Sequence, residues 1–267
     1  MIIIGERINT SRNDVMHAYQ EKDNEYIRME AFRQAQAGAD VIDINAGMNI
    51  DIEPDNMAWA VQIVQEYINI PLCIDSPHPH TIKAGLAVCK DKQNVWLNSI
   101  TLDKNRIENI LPLVREYNCP VIALCIDKNK IPETSEARVE VAKKLVDIID
   151  SYSISLNNVY LDPLIGPIAI KTNSGLVSLN TIRKIKSELP EVKTVICLSA
   201  LSFGLPNRRL INRVFLPLLM YEGINAVFLD PLDSKLMTSL KVAYTLLNRD
   251  KYCHNYITAY REGKLTE

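Results

Sequence analysis

The sequence predicts an α/β fold, a (β/α)8 barrel, and three observations carry that prediction. Eight short apolar, β-branched runs recur at even intervals, the stretches between them show helical spacing of apolar residues, and nearly every run ends in a polar residue. Runs that are apolar throughout suit strands covered on both faces. Strict alternation with helices implies a parallel sheet with right-handed crossovers. At 267 residues, eight such units point to one closed barrel spanning 1–267, with an open doubly wound sheet as the alternative. Against that alternative, no G-x-G-x-x-G follows the first run, where Ile4-Gly5-Glu6-Arg7 stands instead.

The predicted strands are Ile2–Ile8, Asp40–Ala46, Leu72–Ser76, Val95–Ile100, Val121–Ile126, Val159–Leu164, Thr194–Ala200 and Ala226–Leu229. Between the second and third, Met57, Ala60, Val61, Val64 and Ile68 share a helical stripe that starts just after Pro54, a residue suited to a first turn. Ile107, Ile110, Leu111 and Val114 form another stripe, in which Pro112 is expected to kink the helix or shift its start. Ala142, Leu145, Val146 and Ile149 form a third, and a last helix from about Leu236 is expected to close the barrel.

Composition narrows the function. Hydrophobic residues are 47% of the chain, enough for a sizeable core, and a net charge of −2 with no basic block argues against nucleic acid. No apolar run is long enough to cross a bilayer, and Met1–Gly5 lacks the charged front of a signal peptide, so a cytoplasmic protein is expected. Cys73, Cys89, Cys119, Cys125, Cys197 and Cys253 form no C-x-x-C pair and read as reduced structural residues. His78 and His80 read as a surface loop, and no metal site is expected.

In a barrel, polar residues at the C-terminal ends of strands carry the chemistry. Here they are Glu6-Arg7-Ile8-Asn9, Asp43 and Asn45, Asp75-Ser76, Asn98-Ser99, Asp162-Pro163, the segment Ser199–Gly204, and Asp230-Pro231. Any one such Asp can be a helix cap or turn former; Asp230 reads as a turn and Asp127, beside Lys128 and Lys130, as solvated. As a set they converge on one mouth with few cations facing them. Nine glycines are too few for phosphate-binding loops. Carboxylates and amides without a metal suit a neutral, donor-rich heterocycle, such as a 2-amino-4-oxo-pyrimidine edge whose adjacent N–H groups one carboxylate accepts as a pair.

Taken in order, Ile4-Gly5-Glu6-Arg7-Ile8-Asn9, Asp43-Ile44-Asn45-Ala46-Gly47, Cys73-Ile74-Asp75-Ser76, Leu97-Asn98-Ser99 and Leu161-Asp162-Pro163-Leu164 resemble the pterin-binding barrels of the methyltetrahydrofolate:corrinoid methyltransferases. The segments Leu198–Arg208 and Ile211–Leu216 continue the resemblance, which covers essentially the whole chain. In length the chain is similar to the stand-alone enzymes of acetogenesis and of methylamine, glycine betaine or O-demethylation systems, more than to the folate module of methionine synthase. The resemblance implies a barrel that binds tetrahydrofolate or 5-methyltetrahydrofolate as substrate, a separate corrinoid protein as partner, and a homodimer. It implies that Asp75, Asn98 and Asp162 grip the pterin, that Glu6, Asp43 and Asn45 line the same mouth, and that Phe203 and Arg208 lie near the ligand on the loop after strand seven.

The chain departs from the family at one position. An asparagine that hydrogen-bonds pterin N5 normally follows the serine of the strand-seven motif, and here Ser199 is followed by Ala200. A hydrogen bond to N5 helps a methyl group leave more than it helps N5 attack, because leaving calls for proton donation and attack for a free lone pair. Ala200 therefore points to transfer mainly towards 5-methyltetrahydrofolate, with no side-chain nucleophile. The alternatives are transfer from methyltetrahydrofolate to the corrinoid as in acetogens, a dihydropteroate synthase-like enzyme, for which Asn207-Arg208-Arg209 is a poor substitute for the late Ser-Arg-Lys type motif, and a non-catalytic folate-binding protein.

Overall fold

Eight parallel strands close on themselves in sequence order in the computed structural model, which describes residues 1–47, 49–127 and 130–266. The strands are β1 (Ile2–Asn9), β2 (Val41–Asn45), β3 (Leu72–Asp75), β4 (Trp96–Ile100), β5 (Val121–Leu124), β6 (Val159–Asp162), β7 (Lys193–Cys197) and β8 (Ala226–Leu229). The eighth pairs with the first, Ile4 against Phe228 and Gly5 against Leu229, so the barrel is closed by strand pairing and not by the last helix. The expected (β/α)8 architecture is the one observed.

Around the barrel run α1 (Asn13–Glu21), α2 (Asn24–Gln36), α3 (Glu53–Tyr67), α4 (Pro79–Val88), α5 (Lys104–Tyr117), α6 (Ser135–Ser151), α7 (Ser174–Glu188), the short α8 (Leu198–Leu201), α9 (Arg208–Tyr221), α10 (Ser234–Leu246) and α11 (His254–Arg261). Caps fix several starts: the Asp23, Asp103, Thr134 and Asp233 side chains accept from the amides of Tyr26, Arg106, Ala137 and Leu236. Pro54 sits in the first turn of α3 as expected. Pro112 neither ends nor delays α5, which runs through it from its Asp103 cap. Pro112 and Glu108, the residue whose carbonyl it leaves free, both face solvent, so water takes the lost bond.

Two apolar layers hold the barrel together. The outer one lies between sheet and helices and includes Ile42, Ile44, Ile74, Leu97, Val121 and Leu161 with Met57, Val61, Val64, Ile110 and Leu145. The inner one fills the barrel with Ile4, Val41, Cys73, Trp96, Ile122, Tyr160, Val195 and Ala226. Strand side chains alternate between these faces. Both faces are apolar, so each strand reads as one unbroken hydrophobic run.

Several boundaries differ from expectation. The second, third, fifth and sixth strands end earlier, at Asn45, Asp75, Leu124 and Asp162, and the seventh ends at Cys197, which puts Ser199 and Ala200 on α8. His78 and His80 are not in a surface loop: His78 stands immediately before α4 with no side-chain cap, and His80 lies in its first turn. The cysteines are free, with Cys73, Cys89, Cys119 and Cys125 buried and Cys253 exposed. Asp127 is half-buried and bridges to Lys130 through the backbone, while Lys128 and Asn129 lie outside the described residues. No described helix is long and apolar enough to cross a membrane.

Candidate active site at the barrel mouth

Two positions beyond each inner-layer residue, the next inward-facing side chain of every strand lines one cavity. The pairs are Ile4 and Glu6, Val41 and Asp43, Cys73 and Asp75, Trp96 and Asn98, Ile122 and Leu124, Tyr160 and Asp162, Val195 and Cys197, Ala226 and Phe228. The step of two is the strand repeat, so the barrel converts one inward residue per strand into a ring. The cavity has a volume of about 740 Å3 and opens at the C-terminal ends of the strands. Its rim adds Asn9, Ser11 and Arg12 after β1, and Ser199, Ala200, Phe203 and Arg208 after β7.

Nine of the ten expected site residues therefore meet on this cavity: Glu6, Asp43, Asp75, Asn98, Asp162, Ser199, Ala200, Phe203 and Arg208. The exception is Asn45, which does not line it. Strand register pairs Asn45 with Asp75, and Asp75 with Asn98. The Asn45 amide donates to Asp75 Oδ2 at 2.8 Å, and its Oδ1 accepts from Gly47 N, so it orients a carboxylate from behind.

The carboxylates sit low in the cavity, and burial raises the proton affinity of each. Burial pushes Asp75 up to about 6 and the charge of Glu53 adds to it, while the Asn45 hydrogen bond and the Arg106 charge pull it back. Burial likewise pushes Asp162 up to about 7 against the Leu164 amide, which donates at 2.6 Å, and the Arg138 charge. Asp43 is raised well above the usual carboxylate range by burial and then by the charge of Asp75. Its Oδ1 is fully buried with no hydrogen-bond partner among the described residues, an acceptor awaiting a donor. Glu6 is raised by burial, partly offset by the Ser199 hydroxyl, which donates to its Oε2 at 2.9 Å.

Cations are nearer than the sequence suggested. Arg12 and Arg208 reach the rim, Arg106 approaches Asp75, and Arg138 lies behind Asp162. Arg208 donates from Nη2 to the Ser199 carbonyl at 2.8 Å and stacks over Phe203 at 5.5 Å, bracing α8. Arg7, at the end of β1, points away from the cavity and pairs with Glu30 and, at 2.8 Å, with Asp230. Asp230 also accepts from Leu232 N at 2.9 Å, which makes it the turn former expected. No group of three or more His, Cys, Asp or Glu among the described residues is placed to hold a metal ion. Arg12, Leu124, Cys197 and Phe228 were not picked out from the sequence. For the last three, a step of two from the inner layer is the signal that finds them.

A cavity ringed by carboxylates and an amide, at the catalytic end of a (β/α)8 barrel, is the site of an enzyme acting on a small ligand. Residues 5–230 match the family described as pterin binding enzyme, and the chain belongs to that family. It is similar to a methylcorrinoid:tetrahydrofolate methyltransferase of Eubacterium limosum, 35% identical over 99% of this chain and 98% of that protein. It is 26% identical to methionine synthase of Mycobacterium tuberculosis over 85% of this chain and 20% of that protein. Among solved structures, Yersinia pestis dihydropteroate synthase with a pterine-sulfa conjugate superimposes with a TM-score of 0.68 at 15% identity, over 92% of this chain and 94% of that one. Burkholderia cenocepacia dihydropteroate synthase gives 0.65 at 17% identity, over 96% and 93%. At that identity these two likenesses show the fold alone.

Proposed function

We propose that the chain transfers a methyl group from a methylated corrinoid protein to N5 of tetrahydrofolate, giving 5-methyltetrahydrofolate. The observation that carries this reading is the near full-length similarity to a methyltransferase of that description. The cavity supports it, because Asp75, Asn98 and Asp162 converge there as acceptors and a donor suited to a pterin ring. Glu6 and Asp43 complete the wall, Asn45 holds Asp75 in place, and Ser199 and Ala200 frame N5 beside Phe203 and Arg208. The corrinoid, held by its own carrier protein, supplies the methyl group and takes the electron pair of the broken carbon–cobalt bond. The barrel's part is to desolvate and orient the pterin so that its N5 lone pair faces the open mouth.

The test is to mix the methylated corrinoid protein with tetrahydrofolate and catalytic amounts of the enzyme, following the corrinoid absorbance and the appearance of 5-methyltetrahydrofolate. Pterin binding without turnover overturns the reading in favour of a folate carrier. Release of pyrophosphate from a pterin diphosphate and an aromatic amine overturns it in favour of dihydropteroate synthesis.

Ala200 leaves N5 without the amide that favours methyl departure. The equilibrium belongs to the reaction, so the effect is expected in kcat at saturation and not in the ratio of kcat/KM values. Wild type should turn over tetrahydrofolate faster than 5-methyltetrahydrofolate, and Ala200→Asn should narrow that ratio by about tenfold, one hydrogen bond's worth. Equal saturated rates in wild type would remove Ala200 as a determinant of direction.

Residues 1–267 are read as one domain of a cytoplasmic homodimer. An apolar groove between α7 and α9, with Leu176, Leu210, Val214 and Leu218 exposed, offers the surface for a second copy. Sedimentation velocity should show a dimer that Leu210→Lys with Val214→Lys converts to monomer; a monomeric wild type would exclude the dimer.

A further inference from the structure

We propose that Glu6, acting through the hydroxyl of Ser199, takes up the proton that N5 of tetrahydrofolate must lose when it is methylated; this rests on the methyl transfer proposed above. Methylation of a secondary amine leaves one proton over. As the N5 lone pair forms the new carbon–nitrogen bond, the carbon–cobalt bond breaks and its electron pair stays with cobalt. N5 then carries a methyl group, its original hydrogen and a positive charge. Neutral 5-methyltetrahydrofolate forms only when that hydrogen leaves as a proton, and the cavity must provide an acceptor for it.

The geometry singles out one wall. The groups assigned to the ring, Asp75, Asn98 and Asp162, stand on β3, β4 and β6, with Asp43 of β2 beside Asp75 and the apolar Leu124 on β5, which leaves the wall made by β7, β8 and β1 for the reacting edge. Phe228 on β8 is apolar, and Ala200 has neither donor nor acceptor. Below the rim residues Asn9, Ser11, Arg12 and Arg208, the polar groups of that wall form one hydrogen-bonded cluster. Ser199 Oγ donates to Glu6 Oε2 at 2.9 Å, and Cys197 Sγ lies 3.6 Å from the same carboxylate oxygen and 3.4 Å from Ser199 Oγ. Ser199 stands on α8, beyond the end of β7, so it is nearer the mouth than Cys197. A serine hydroxyl that donates to a carboxylate keeps lone pairs free for a second donor. The N5 proton passes to Ser199 Oγ while the serine proton moves to Glu6 Oε2, and the serine ends unchanged.

The surroundings of Glu6 suit an acceptor. Burial raises its proton affinity, as does the charge of Asp230 at the end of β8, and Asp43 on the neighbouring strand β2, itself raised by the charge of Glu6, faces the same cavity. Arg208 at the start of α9 and the hydroxyl and thiol of Ser199 and Cys197 act the other way. Arg7, the next residue along β1, is taken up by Glu30 and Asp230, and Arg12 reaches the same cavity from the rim. An N-methylated aryl ammonium is about as acidic as a carboxylic acid, so a carboxylate with increased affinity for protons is a matched receiver.

The test compares wild type with Glu6→Gln and Ser199→Ala, measuring single-turnover methylation of saturating tetrahydrofolate from the methylated corrinoid protein across pH, together with the Kd for tetrahydrofolate. Glu6→Gln should lose roughly a hundredfold or more in the transfer rate. Its Kd should stay within about threefold, and the rise of rate with pH that reports ionised Glu6 should be lost. By reversibility, demethylation of 5-methyltetrahydrofolate should fall by the same factor. Ser199→Ala should lose less, because a water fills the place of the hydroxyl. A rate within fivefold of wild type in Glu6→Gln overturns the proposal, as does a loss matched by weaker binding or a pH profile that keeps its rise. Glu6→Asp, which keeps the carboxylate, should recover part of the rate; if it equals Glu6→Gln, the side chain is structural. An inactive wild type would instead refute the methyl transfer itself.

Discussion

Asp75→Ala is expected to raise the Kd of tetrahydrofolate by a hundredfold or more. Asp75 is held by Asn45 from behind and faces the cavity beside Asn98 on the neighbouring strand. Each charge-assisted bond it accepts from the pterin contributes about 1.5–3 kcal/mol, and its loss also leaves a donor on the ring buried without an acceptor. The pH dependence has a definite sign. Asp75 accepts fully only when ionised, its empty-site value is pushed up to about 6, and a bound donor draws that value down. Binding therefore releases a proton at low pH, and affinity rises with pH through this range and levels off above it. Asp162, pushed up to about 7, adds a second step in the same direction. In Asp75→Ala the step near 6 should be lost while the step near 7 stays. Titration calorimetry between pH 5 and 8.5 checks both statements; a variant binding within threefold of wild type would show that the pterin sits elsewhere.

The second large effect is structural. Arg138 on α6 is 4% exposed, and its guanidinium serves the turn that follows Asp162. Its Nη1 donates to the carbonyls of Pro163 and Leu164 at 3.1 and 2.6 Å and to Ser178 Oγ at 3.2 Å, and its Nε donates to the Pro132 carbonyl at 2.9 Å. That turn carries Leu164 at a φ of 62°, strained for a branched side chain, and places the Leu164 amide on Asp162. Arg138→Ala takes the donor from the buried Pro163 carbonyl and the half-buried Pro132 carbonyl, leaves Leu164 only the Ser178 hydroxyl, and should destabilise the protein by about 3–5 kcal/mol. At this chain length that corresponds to a Tm lower by roughly 10 °C. Arg138→Lys should recover only part, because one ammonium cannot reproduce the planar fork. A melting temperature within 2 °C or so of wild type in Arg138→Ala would show that the turn holds itself.

Much of the site was legible because barrels place chemistry at strand ends. Glu6, Asp43, Asp75, Asn98 and Asp162 each interrupt or end an apolar run, and a polar residue in such a run needs a reason. Other features were not legible. Asn45 has the same appearance in sequence as Asp43, two residues before it, but lies one layer further out and reaches the ligand only through Asp75. Cys197 reads as another apolar strand residue until Glu6 and Ser199 are found beside it. Arg12 and Arg138 come from a loop and a helix that carry no strand-end signal, and both are brought to the site by the path of the chain.

Local pattern determined the elements themselves. The eight apolar runs, the helical stripes between them, Pro54 at a first turn and the capping aspartates act over a few residues, so the fold class and the departure at Ala200 are properties of the sequence alone. Tertiary structure decided which residues share a surface. Helices cover one face of each strand and the barrel core the other, so both faces are apolar and the strand period is hidden. Only closure of β8 on β1 turns the inward set into a ring, joins Glu6 to Ser199 across 193 residues, and gathers four carboxylates in one cavity. Proton affinity follows from that burial, because removing water costs the charged form most, and burial is a property of the closed barrel.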